Sequence, residues 1–133
     1  DDEVKLYTSM LNNGDSKKTR EALINLVNSL KKEGDIMLEM GNGRNAAKYY
    51  TKAIRYQKKV SNHMGHKELV LSMGLAKALN KVANRRESAE QLLQSLLPLA
   101  KRLNATNELI EIENLLNNKN KNTNIMTLLK SIF

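Results

Sequence analysis

The sequence predicts an all-α fold, and three observations carry that prediction. Apolar residues recur three, four or seven positions apart through most of the chain, the repeat of a helix face and not of a strand. One proline in 133 residues leaves long stretches free to be helical. Aromatics are 4% with no Trp, so the core must come from Leu, Ile, Val, Ala and Met, without the β-branched runs and frequent turns of a β architecture.

The elements follow in order. Val4, Tyr7, Met10 and Leu11 share one face of a first helix over 3–12, and Gly14 stops it. Asp15 and Ser16 offer N-cap oxygens to a second helix over 17–40, with Leu23, Val27, Leu30, Met37 and Leu38 inward. Gly41-Asn42-Gly43 breaks the pattern. A third helix over 44–60 turns Ala46, Tyr50, Ala53, Ile54 and Gln57 inward, and Ser61–His66 is a loop. A fourth over 67–83 buries Leu71, Leu75, Ala78, Leu79 and Val82; a turn at 84–87 leads to a fifth over 88–103, which Pro98 should kink. Shorter helices are expected near 107–117 and 125–133, on either side of a polar loop.

Composition removes several functions. Without Cys there are no disulfides, thiolate metal sites or cysteine nucleophiles. No apolar run approaches the roughly 20 residues that span a bilayer and no signal-peptide pattern opens the chain, so an intracellular address, cytoplasmic or nuclear, is expected. A start at Asp1 instead of Met reads as a portion of a longer protein. The net charge of +8 is unevenly spread: residues 1–39 sum to −2, residues 40–105 to +10 and the remainder to zero. That central field favours an acidic partner.

Residues 30–54, LKKEGDIMLEMGNGRNAAKYYTKAI, carry a more specific pattern. Gly34 is followed by Ala46, Tyr50 and Ala53 at 12, 16 and 19 residues. This resembles a tetratricopeptide (TPR) repeat, whose small residues let two antiparallel helices approach closely. Leu75, Ala76 and Leu79 with Ala89, Leu93 and Leu96 resemble a second copy. Its spacing is 43 residues from Ala46 to Ala89, against about 34 in the usual repeat. The resemblance implies a single domain of six or seven helices in a right-handed TPR-like superhelix. It would comprise an N-terminal helix (1–14), a first hairpin (17–60), a second hairpin (67–103) and C-terminal capping helices (107–133). It also implies a non-catalytic adaptor or scaffold that binds a peptide or helix of a partner, with no cofactor.

Two surfaces are candidates. Family groove positions fall on Asn28, Lys31, Asp35, Leu38 and Glu39 of one hairpin and on Val70, Met73, Lys77, Asn80 and Lys81 of the next. A clamp for a chaperone's C-terminal carboxylate is not expected there, because Asp35 and Met73 stand where asparagines would be required. The second surface is Arg44, Lys48, Lys52, Arg55 and Lys59, a basic stripe on one face of a helix that holds no acid. Ile125, Leu128, Leu129 and Ile132 form an apolar stripe suited to capping the array or to self-association. His63 and His66 lack the partners of a metal site, and no nucleophile elbow, phosphate loop or HExxH motif occurs. Two other readings fit the same residues: an MIT-like helix-binding trafficking module, and a basic helical domain for nucleic acid or anionic lipid.

Overall fold

The computed structural model describes residues 16–117, all of them in helices or the short turns between helices. Helix α1 spans Ser16–Glu39, α2 Gly43–Val60, α3 His66–Asn80 and α4 Arg86–Arg102, with a 3-10 turn at Ala83–Arg85 before α4. A fifth helix, α5, covers 106–117 of the described residues. The expected helices over 3–12 and 125–133, the 117–124 loop beyond residue 117, and the stripe of Ile125, Leu128, Leu129 and Ile132 lie outside them.

Two of the breaks are built alike. At the end of α1 the N–H of Asn42 donates to Met37 O (2.9 Å) and that of Gly41 to Leu38 O (3.0 Å). At the end of α4 the N–H of Ala105 donates to Ala100 O (3.0 Å) and that of Asn104 to Lys101 O (3.1 Å). Both are Schellman closures, which need one residue in the left-handed region. Gly41 supplies it at φ 79° and Asn104 at φ 54°. A Cβ on Gly41 would meet nothing within 4 Å, so Gly41→Ala isolates the backbone penalty. The expected loss is about 1 kcal/mol in a urea titration.

Successive helices run antiparallel. Arg20 of α1 donates to Val60 O at the far end of α2 (2.8 Å), while Tyr50 reaches back to Asp35. Asn42 caps α2 by accepting from Asn45 N (3.2 Å). Between α2 and α3, Gln57 Nε2 donates to Glu68 Oε1 (3.3 Å), and Gly43 lies against Ala78 and Lys81 at the other end. Arg102 of α4 donates to Met64 O just before α3 (2.9 Å). The odd helices also meet: Lys67 of α3 donates to Asn28 of α1 (2.7 Å), and α1 touches α3 directly, whereas α2 and α4 hardly meet.

The tight point is Tyr50, 1% exposed. A Cβ on Gly34 would lie 3.0 Å from its Cε1, and one on Gly74 2.6 Å from the same atom. The ring therefore occupies a slot between α1 and α3 that only hydrogen-bearing backbone can line. Around it Leu26, Val27, Leu30, Ala46, Ala53, Leu71 and Ala78 form one core cluster. A second cluster joins α3, α4 and α5 through Leu69, Met73, Ala76, Leu93, Leu96, Ala100 and Ile112. Helix α3 feeds both.

Burial and the Asp35 carboxylate hold the Tyr50 phenol well above its ordinary value, burial being the larger cause. The folded state thus keeps a proton that the unfolded chain releases near pH 10. Stability from this group is full below pH 10 and falls as pH rises beyond it. A set of urea titrations between pH 8 and 11 should show this decline in the native protein and a shallower one in Tyr50→Phe.

Two expectations change. Helix α3 ends at Asn80, not at 83, and Val82 leads into the 3-10 turn. Met73, assigned to an open groove, is 3% exposed and packs toward Leu93 and Leu96. Almost every side of α3 is covered, because it lies between α2 and α4 and beneath α1 and α5. Pro98 is accommodated inside α4, on an exposed position.

Candidate protein-binding surfaces

The first candidate surface lies where α1 and α3 run side by side. Asp35 accepts from the Tyr50 hydroxyl (2.5 Å) and pairs with Lys31 (2.8 Å), so its carboxylate is committed on both oxygens. Lys77 pairs with Glu111 of α5. Lys67 is held below the ordinary lysine range, by burial first and by the Lys31 cation second, with Asp35 acting in the opposite sense. Of the groove residues expected from sequence, Glu39, Asn80 and Lys81 remain exposed, while Lys31, Asp35 and Lys77 are half-buried in internal contacts.

Toward α5 this face is closed further. His66 meets Glu108 at 2.8 Å. That contact lowers the Glu108 carboxyl below its ordinary value, with a backbone hydrogen bond adding to it. His63 is exposed, and no group of three or more His, Cys, Asp or Glu side chains suited to a metal ion occurs among the described residues.

The second candidate is different in character. Arg44, Lys48, Lys52, Arg55 and Lys59 are all exposed on α2. None forms a salt bridge with a described residue, in contrast to Lys31 with Asp35 and Lys77 with Glu111. Lys59 lies 5.3 Å from the centroid of the Tyr56 ring, a cation–π distance within its own helix. Lys58, next to the stripe in sequence, is exposed as well. Like charges one turn apart repel by a few tenths of a kcal/mol per pair, so the free protein holds this face at a small standing penalty.

Two clefts open on the surface, one where the start of α2 meets the end of α3 and the turn before α4, the other along α4 over Ser72 of α3. One of about 570 Å³ is bounded by Arg44, Ala47 and Lys48 of α2, Leu79 and Val82 from the end of α3, and Arg85. The other, of about 400 Å³, is bounded by Met64, Ser72, Leu92, Ser95, Leu99 and Arg102. Neither was legible in the sequence, since each is assembled from three separate segments.

Compared with known proteins, the chain matches no family model, no curated protein and no solved structure. Among the described residues, no helix is long and apolar enough to cross a membrane.

Proposed function

We propose that this chain is a non-catalytic protein-interaction module, a TPR-like stack of helical hairpins that holds an acidic segment of a partner against the outer face of α2. The observation that carries it is the contrast between the two surfaces. Five exposed cations on α2 have no acidic partner among the described residues, whereas Lys31 and Lys77 on the opposite side are neutralised within the chain.

The TPR-like reading draws support from the helix arrangement. Successive helices pack against each other, α1 also touches α3, and α2 and α4 hardly meet, the order of contacts that a stack of helical hairpins would have. The small residues at the tight points, Gly34, Ala46 and Ala53, are those that carry the family resemblance, and each is buried. Nucleic acid is a weaker reading of the same charge. Binders of single strands offer open aromatic faces for bases to stack on, but Tyr50 is buried and Tyr49 and Tyr56 are half-buried.

The test is capture of partners by the immobilised chain, repeated with two charge-reversal sets. Lys48→Glu, Lys52→Glu and Arg55→Glu together should abolish capture, with the helical circular dichroism unchanged. Lys77→Glu with Lys81→Glu should leave it largely intact. Capture lost only with the second set, or with neither, would remove α2 as the binding face; capture that disappears on nuclease treatment would remove the protein partner.

A further inference from the structure

Helices α2 and α4 run parallel, because each is antiparallel to the α3 that lies between them. Since they hardly touch, a seam is left open along the outer surface, and its floor is made by α3. Both clefts lie over one face of α3, with Leu79 in the first and Ser72, seven residues earlier, in the second; α2 and the turn before α4 wall the first, and α4 with Met64 walls the second.

The walls have a consistent chemistry. Along α2, Ala47 lines the first cleft, Thr51 and Ile54 follow it at helical spacing on the same flank, and Thr51 turns its hydroxyl to Ala47 O (2.7 Å). Along α4, Ser88, Leu92, Ser95 and Leu99 do the same, and Ser95 bonds Leu92 O (2.6 Å). Both walls therefore present small residues whose polar atoms can be satisfied by their own helix, alternating with half-buried aliphatics. Such a surface lets another helix approach closely.

Charge completes the description. Arg44, Lys48 and Arg85 rim the first cleft, and Arg102, anchored on Met64 O, stands at the second. The acids of α4, Glu87 and Glu90, fall on the helix side turned away from the seam, and α2 has none. On α3, Ser72 and Leu79 are seven residues apart, so the floors of the two clefts are separated by about 10 Å, two turns of helix.

We infer that the seam between α2 and α4 is the docking groove for an acidic amphipathic helix of a partner protein. Its apolar side chains enter the two clefts, and its carboxylates meet Arg44, Lys48, Arg85 and Arg102. This rests on the acidic-partner reading above and adds the groove and the shape of the ligand. An apolar stripe at i, i+4 and i+7 spans that distance and places its ends in the two clefts. A segment of like charge without that stripe would find the cations but not the clefts.

The experiment uses the whole chain and a fluorescent peptide of about 18 residues made of Glu, Ala and Leu, its leucines on one helical face. A permuted peptide of the same composition, with leucines spread around the helix, is the comparison. Binding of the first should be at least about tenfold tighter, read by anisotropy. Ser95→Trp and Thr51→Trp, which fill the seam from exposed positions on opposite walls, should each weaken it about tenfold, and so should Lys48→Glu with Arg85→Glu. Lys77→Glu should not. Equal binding of the two peptides overturns the groove but leaves the acidic-face reading standing. Binding insensitive to both Trp variants also overturns the groove. Binding of neither peptide overturns both, whether an oligonucleotide or a phosphatidylserine vesicle binds instead or nothing does.

Discussion

Tyr50→Ala is expected to remove about 4 kcal/mol of stability, more than any other single truncation in the first core cluster. The ring is 1% exposed and fills the slot between Gly34 and Gly74, so neither neighbouring backbone can relax into the space without moving a whole helix. Its hydroxyl is a smaller part of the effect. Tyr50→Phe keeps the ring and releases only Asp35, which is half-exposed, retains Lys31 and can take up water, for a loss of about 1 kcal/mol.

The same slot gives a sharper test of its cause. Gly74→Ala on the native background should destabilise by about 2 kcal/mol, although alanine is the better helix former, because its Cβ would lie 2.6 Å from the ring. In Tyr50→Ala the ring is gone, and Gly74→Ala should then be neutral or stabilising. That change of sign, read from urea midpoints at constant slope, ties the glycine to the ring. If Gly74→Ala destabilises equally in both backgrounds, the glycine is required for some other reason.

How far this was legible in the sequence depends on what kind of contact is asked about. The tight hairpin was legible, since Gly34, Ala46, Tyr50 and Ala53 lie at fixed spacings and all four are buried. Gly74 is not marked by the second-copy pattern, which rests on Leu75, Ala76 and Leu79. A glycine inside a helical pattern, 40 residues after Gly34, was the available signal. The apolar spacing of α3 marks one side, yet Leu69, Met73 and Ala76 are as buried as Leu71 and Ala78. Periodicity reports which face is apolar. It does not report that a helix is covered on nearly all sides, which follows only once its neighbours are placed.

The candidate sites divide along the same line. A stripe within α2 depends on one helix and is visible as Arg44, Lys48, Lys52, Arg55 and Lys59. The groove residues Asp35 and Lys77 are decided by Tyr50 and Glu111, 15 and 34 positions away. No local pattern announces such pairs, and a groove position that is already paired inside the chain offers a partner little.

Glu68→Leu is the second large expected effect, about 3 kcal/mol, and its reason is again a neighbour brought in by the fold. The carboxylate is 3% exposed, yet both of its oxygens are used: one accepts from Gly65 N (2.9 Å), the other from Gln57 Nε2 (3.3 Å). It stands in the first turn of α3, where the helix dipole favours a negative charge. Leucine matches the size but leaves the Gly65 N–H and the Gln57 amide without acceptors where water does not easily reach. Glu68→Gln should lose only about 1 kcal/mol, because a side-chain oxygen still serves Gly65 and the Gln57 amide can rotate to offer its oxygen to the new amide. Replacing Gln57 by Leu as well should recover part of the Glu68→Leu loss, since a buried pair removed together leaves fewer orphaned groups than one partner removed alone. A double-mutant cycle from chemical denaturation measures this directly; strictly additive losses would mean that Gln57 and Glu68 do not act as a bridge between α2 and α3.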